Sequence, residues 1–75
     1  MKLQNAEIGG RYRVLAIQGQ QAELQSRLYA LGIFPGTTLD LLRRAPLGDP
    51  IQIKTGNSLV SIRLREAEVI DVEAT

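Results

Sequence analysis

The sequence predicts a mostly β domain, a small barrel of five short strands with one α-helix inserted between the first two strands. Three observations support this fold class. Five segments alternate apolar and polar residues with the period of two that is typical of strands. Only residues 21–31 have the spacing of an amphipathic helix. Glycine and proline separate these segments at short intervals, as in small β domains.

The helix is predicted over residues 21–31, which contain neither glycine nor proline. Its apolar stripe at i, i+4 and i+7 is formed by Leu24, Leu28 and Leu31. Gly32 follows where helices often end in the left-handed conformation, which glycine takes without a steric penalty. We therefore expect Ile33 to fold back onto Leu28, and Pro35-Gly36 to form a type II turn that starts the next strand.

The strands follow from alternation between these turns. They are predicted at residues 11–17, 37–44, 51–54, 59–64 and 69–72. Gly56-Asn57 predicts a type II′ hairpin between the third and fourth strands. Residues 45–50 contain two prolines and a glycine and are expected to form an irregular loop. Residues 6–10 are expected to form a loop that leads into the first strand, and residues 73–75 are expected to fray.

Five strands of this length fit an SH3-like barrel in which the last strand pairs with the first. An open sheet covered by the helix is the competing α+β arrangement. Residues 1–75 are expected to form one domain, because the chain is too short for two.

Composition excludes several classes of function. The chain has no Cys and no His, so it can form neither disulfides nor structural zinc sites with thiolate or imidazole ligands. No hydroxyl has an evident base, and no phosphate-binding glycine loop precedes a helix, so we expect no catalytic residue, no cofactor and no enzyme activity. No targeting signal or apolar run of about 20 residues is present, so a cytoplasmic protein without membrane insertion is expected.

The order of several motifs resembles the FeoA family, small cytosolic proteins associated with bacterial ferrous iron transport. These motifs are Arg27-Leu28, Leu31-Gly32-Ile33, Pro35-Gly36, Ala45 to Pro50, Glu66-Ala67 and Ile70-Asp71-Val72. The resemblance implies an SH3-like barrel with an inserted helix and a role beside FeoB, the membrane permease whose cytosolic part carries a G domain. A similar domain occurs at the C-terminus of DtxR-type repressors, but this chain has no room for a helix-turn-helix and resembles the stand-alone version.

Tight iron binding is not expected, because ferrous sites usually add imidazole or thiolate to carboxylate. The carboxylates that could serve as ligands are Asp40, Asp49, Glu66, Glu68, Asp71 and Glu73. Glu66 and Glu68 are two residues apart and are interpreted as solvated surface charges that point in different directions. We therefore expect no metal site.

Protein binding fits the residues best, with the cytosolic G-domain region of a FeoB-like permease as the expected partner. The candidate contact residues are Arg27, Tyr29, Phe34, Arg43 and Leu47, because aromatic and arginine side chains are over-represented at binding hot spots. Two alternatives stay open at this point: Phe34 could pack onto the barrel, and Leu47 could close the barrel mouth.

A nucleic-acid-binding or transcription-regulatory SH3-like module is the alternative function. Its candidate basic residues are Arg11 with Arg13, Arg63 with Arg65 if the fourth strand continues, and Arg43 with Arg44. Only three aromatic residues are available for base stacking, and the net charge is only +1, so nucleic acid is the less favoured partner. Self-association as a structural subunit is a third option.

Overall fold

The computed structural model describes residues 1–75, and its main elements are those of an SH3-like fold. In chain order they are β1 (Arg11–Ile17), α1 (Ala22–Ala30), β2 (Thr38–Arg44), β3 (Ile51–Thr55), β4 (Ser58–Ile62), α2 (Leu64–Ala67) and β5 (Ile70–Ala74). The strands form one antiparallel sheet in the order β4-β3-β2-β1-β5. The helix between the first two strands and the pairing of the last strand with the first are therefore confirmed.

The sheet wraps around a single apolar cluster, to which every strand contributes alternate side chains. Its fully buried larger members are Leu3, Val14, Leu28, Ile33, Leu39, Leu41, Ile51, Ile53, Ile62, Ile70 and Val72. The register shifts at Leu15 in β1 and at Leu42 in β2, and both side chains are exposed. Such bulges bend a strand and increase its twist, which lets a small sheet curve around its core. β4 and β5 are the two edges and are not hydrogen-bonded to each other.

The C-terminal end of α1 forms the predicted glycine cap. The Gly32 N–H donates to the Tyr29 carbonyl at 3.0 Å, and the Ile33 N–H donates to the Leu28 carbonyl at 2.8 Å. Gly32 has φ of 88°, and both Ile33 and Leu28 are fully buried. This pair of bonds is the Schellman motif, whose apolar contact places the end of the helix on the barrel.

Both predicted tight turns are also confirmed. Gly36 has φ of 94° and the Thr37 N–H donates to the Phe34 carbonyl at 3.0 Å, as a type II turn requires. In the hairpin, Gly56 has φ of 59° while Asn57 has no positive φ, which fits type II′.

The residues before β1 pack against the core, and the end of the chain is more ordered than predicted. Leu3 and Ala6, which precede β1, are buried, and the Arg44 guanidinium donates to the carbonyls of Gln4 and Ala6, at 3.0 Å each. The prediction that residues 73–75 fray is wrong, because β5 continues to Ala74 along β1 and the Thr75 N–H bonds the Arg11 carbonyl. Both ends are held by contacts with distant residues, which local patterns do not report.

The fourth strand is shorter than predicted. β4 ends at Ile62, and Leu64–Ala67 turn into the short helix α2. Arg63 and Arg65 therefore do not share a strand face, and the arginine pair considered for nucleic acid is not formed there.

Candidate partner-binding surface

Tyr29 and Phe34 form an exposed aromatic pair at the end of α1. Their ring centroids lie 6.1 Å apart with an interplanar angle of 40°, within the usual range for interacting aromatic side chains. Tyr29 is 54% exposed and Phe34 is 44% exposed. Phe34 therefore packs beside Tyr29 and is not buried in the barrel.

The position of this aromatic pair is set by the backbone on both sides of it. The glycine cap fixes the chain before Phe34, and the type II turn fixes it after Phe34. The Gly36 N–H also donates to the Val14 carbonyl of β1 at 2.8 Å. Because these bonds hold the turn, the backbone that carries Tyr29 and Phe34 needs little further ordering when a partner binds their exposed apolar surface.

Arg27 lies on a different face of α1 and forms an ion pair with Glu66 of α2. Half of the Arg27 side chain is exposed, whereas Glu66 is only 6% exposed. The other carboxylate oxygen of Glu66 accepts the Arg63 N–H at 2.9 Å, which caps α2. The interpretation of Glu66 as a solvated surface charge is therefore wrong: its side chain is buried and pairs with Arg27.

A polar groove of about 710 Å³ lies beside this ion pair. Its walls are formed by residues 18–21, by side chains of α1 up to Arg27, and by residues in and just after α2. Its charged groups are nearly balanced, with Arg27 and Arg65 facing Glu23, Glu66 and Glu68. No sequence pattern predicts this groove, and the Arg63 to Glu66 spacing of a helix N-terminus is the one local signal near it.

Arg43 and Leu47 lie outside the aromatic pair, at the end of β2 and in the following loop. The Arg43 guanidinium donates to the Gln52 side chain of β3 at 3.0 Å. Leu47 is 97% exposed at the tip of a turn closed by the Gly48 N–H and the Ala45 carbonyl. Leu47 therefore does not close the barrel mouth. No hydrogen bond or aromatic contact connects this region with Tyr29 and Phe34.

The remaining charged groups do not form a reactive or cationic centre. No group of three or more His, Cys, Asp or Glu side chains is placed to hold a metal ion. On β1, Arg11 pairs with Asp40 and Arg13 pairs with Glu73, so both arginines already have carboxylate partners. These pairs reduce the cationic surface available for phosphate, which weakens the nucleic-acid alternative.

Two aspartates have lowered pKa values. The Arg11 guanidinium donates to Asp40 at 2.8 Å, and this bond lowers the pKa of Asp40 and raises that of Arg11. The pKa of Asp71 is lowered first by the hydrogen bond from the Gln18 side chain at 2.7 Å and then by Lys2, whose ammonium lies 3.0 Å away. The Lys2–Asp71 pair ties the start of the chain to β5.

Acidification is expected to destabilise the protein in part through Asp71. Because its pKa is lower in the folded state than the ordinary value of about 3.9, the stabilisation is present above that value and is lost as the pH falls below it. Asp71→Asn should therefore lower the free energy of unfolding at about pH 6, by less than about 1 kcal/mol for such an exposed pair, and have little effect at about pH 2.

Urea unfolding at both pH values measures this difference. Glu68→Gln is the matched control, because Glu68 is exposed and its side chain makes no hydrogen bond or ion pair. An Asp71→Asn variant that loses as much stability at low pH as near neutrality contradicts the prediction.

Comparison with known proteins identifies relatives along almost the whole chain. The family model described as FeoA domain matches residues 1–74. Iron(II) transport protein A from Clostridium thermocellum is 38% identical, with a TM-score of 0.92 over 99% of this chain and 45% of that chain. This chain thus spans less than half of that protein.

Two further solved structures agree with this match. The FeoA protein from Chlorobium tepidum is 39% identical, with a TM-score of 0.88 over 99% of this chain and 70% of that one. Stenotrophomonas maltophilia FeoA, solved with zinc and described as an SH3 domain protein, is 24% identical, with a TM-score of 0.83 over 97% and 89% of the two chains. At that identity the last comparison shows the fold alone.

None of the helical segments has the length and apolar character needed to cross a bilayer.

Proposed function

This chain belongs to the FeoA domain family, and we propose that it is an accessory protein of ferrous iron transport that acts by binding another protein. The role in ferrous iron transport is supported by relatives that are described as an iron(II) transport protein and as FeoA. The absence of any His or Cys supports a binding role over catalysis or tight metal binding.

The proposed partner is the cytosolic G-domain region of a FeoB-like permease, which places this protein in the cytoplasm. The observation that carries the proposal is the exposed Tyr29–Phe34 pair, held on a rigid helix end at 6.1 Å between ring centroids. Aromatic anchors on a preorganised backbone are typical of binding hot spots. Arg27, Arg43 and Leu47 are proposed as further contacts, of which Leu47 is the most exposed apolar side chain of the chain.

Such a protein can change transport only through unequal affinity for two states of its partner. If it bound the nucleotide-free, GDP-bound and GTP-bound G domain equally well, it would shift no equilibrium between them. The proposal therefore includes a difference in affinity of at least about fivefold between two nucleotide states, the lower end of typical coupling free energies.

Isothermal titration of the purified partner G domain, in each nucleotide state, tests the proposed surface. Tyr29→Ala is expected to weaken binding at least about tenfold, about 1.4 kcal/mol, because an aromatic anchor is lost. Leu47→Asp should weaken binding as well, because it places a charge on an exposed apolar contact.

Ile8→Ala is the matched control, because Ile8 has the same exposed fraction as Tyr29 but lies in the lead-in before β1. Wild-type affinity in both Tyr29→Ala and Leu47→Asp shows that the contact surface lies elsewhere. Absence of binding in every nucleotide state contradicts the proposed partner.

A further inference from the structure

The two edges of the sheet differ in how they are covered. Along the outer edge of β5, Val72 exchanges backbone hydrogen bonds with Met1, at 2.8 and 3.2 Å, and Lys2 forms an antiparallel bridge with Asp71. Along β4, no backbone or side-chain hydrogen bond comes from any element other than β3. The free edge of the sheet is therefore β4.

The register identifies the backbone groups that β4 leaves unpaired. A two-residue hairpin makes Thr55 and Ser58 a hydrogen-bonded pair, so Ile53 with Val60 and Ile51 with Ile62 are the next such pairs. On the other side of β3, the Ala45 N–H bonds the Pro50 carbonyl, which fits the same alternation. Leu59 and Ser61 therefore direct their N–H and C=O groups away from β3.

This edge lacks the features that usually prevent strand pairing. Ser58–Ile62 contains no charged residue and no proline, and its pairing with β3 has no bulge. Leu59 is 64% exposed on the outer surface of the sheet. By contrast, the central strands β1 and β2 carry bulges, and β5 is covered by the start of the chain.

We propose that β4 pairs antiparallel with β4 of a second copy of this chain, about a twofold axis that passes beside Val60. In this register Leu59 of each copy lies opposite Ser61 of the other, and both residues donate and accept across the new edge. A two-fold interface needs one patch that is complementary to itself, and this strand meets that requirement.

Side chains and charges fit this register. Arg63 lies opposite Asn57 of the second copy, so no like charges face each other directly. Val60 meets Val60 of the second copy on the inner surface, and the two Leu59 side chains are diagonal neighbours on the outer surface. A second copy is favoured as the occupant because the same five residues supply both sides of the ladder. Tyr29 and Phe34 lie on other elements, so this proposal stands independently of permease binding.

The dimer is expected to be weak. Two paired five-residue strands bury less accessible surface than stable protein complexes do, which bury at least about 1,200 Å² in total. Sedimentation and ¹⁵N-edited NMR, at protein concentrations from about 10 μM to about 1 mM, should show association with a Kd on the order of 0.1 mM. The amide resonances of Leu59 and Ser61 should shift with concentration, and their hydrogen exchange should slow as the dimer forms.

Ser61→Pro removes an N–H that points away from β3, so the β3–β4 ladder keeps its bonds while the dimer loses a donor. It should weaken association at least tenfold, whereas Ser61→Ala, which keeps the N–H, should leave association unchanged. Ser61→Lys places a charge on the outer surface of the β4 edge and should also weaken association. If Ser61→Pro does not fold, Ser61→Lys is the variant that tests the proposed dimer.

A wild-type protein that stays monomeric at about 1 mM overturns the proposal. Association that persists in Ser61→Lys, or that shifts Tyr29 and Phe34 instead of Leu59 and Ser61, overturns it as well. In those outcomes the oligomer, if any, forms through another surface.

Discussion

Leu28→Ala is expected to lower the free energy of unfolding by about 3 kcal/mol, within the range measured for leucines in protein cores. Leu28 is fully buried, and its carbonyl accepts the Ile33 N–H that ends α1. Truncation leaves a cavity between the helix and the barrel. A 75-residue domain has a total stability of about 4–11 kcal/mol, so this loss is a large fraction of it.

Urea denaturation followed by circular dichroism measures this effect. Leu24→Ala is the matched control, one helical turn earlier on the same stripe, because Leu24 is only partly buried against the core. It should cost about 1 kcal/mol, since less apolar area is lost. If Leu28→Ala costs no more than Leu24→Ala, the helix does not depend on this contact.

Arg27→Ala is expected to destabilise the protein by about 2 kcal/mol. Removing one partner of a fully buried ion pair costs about 3–5 kcal/mol, and the smaller loss is expected here because half of the Arg27 side chain reaches solvent. Removing Arg27 and neutralising Glu66 should have unequal effects on stability. Loss of Arg27 leaves the buried Glu66 carboxylate without its cation, whereas Glu66→Gln removes the charge and keeps an oxygen for the Arg63 N–H. Glu66→Gln should therefore cost only about 1 kcal/mol.

The double variant Arg27→Ala with Glu66→Gln separates the loss of the ion pair from the cost of leaving a buried carboxylate unpaired. It should be more stable than Arg27→Ala alone, because no uncompensated charge stays buried. Arg13→Ala is the control, since the Arg13–Glu73 pair is exposed and should contribute under about 1 kcal/mol. Equal losses for Arg27→Ala and Arg13→Ala show that burial of Glu66 has no energetic consequence. The cycle also reports how much of any binding defect in an Arg27 variant reflects stability.

The sequence was sufficient where conformation depends on a few neighbouring residues. The end of α1 at Gly32, the turn at Pro35-Gly36 and the hairpin at Gly56-Asn57 each follow from φ requirements that only certain residues meet. The strands follow from a period of two, which one buried side of a sheet imposes on any segment. Exposure of Tyr29 was also predictable, because it lies off the leucine stripe of α1.

The order of these elements, together with the FeoA-like motifs, determined the SH3-like fold class and the family from the sequence by itself. Only the tertiary structure decided that Glu66 is buried against Arg27, that Leu3 fills the core and that β5 continues to Ala74. It also decided that β4 keeps a free edge while Met1 covers β5. Each of these features depends on residues far apart in the chain, and their burial and pairing are set by how the whole sheet curves around its core.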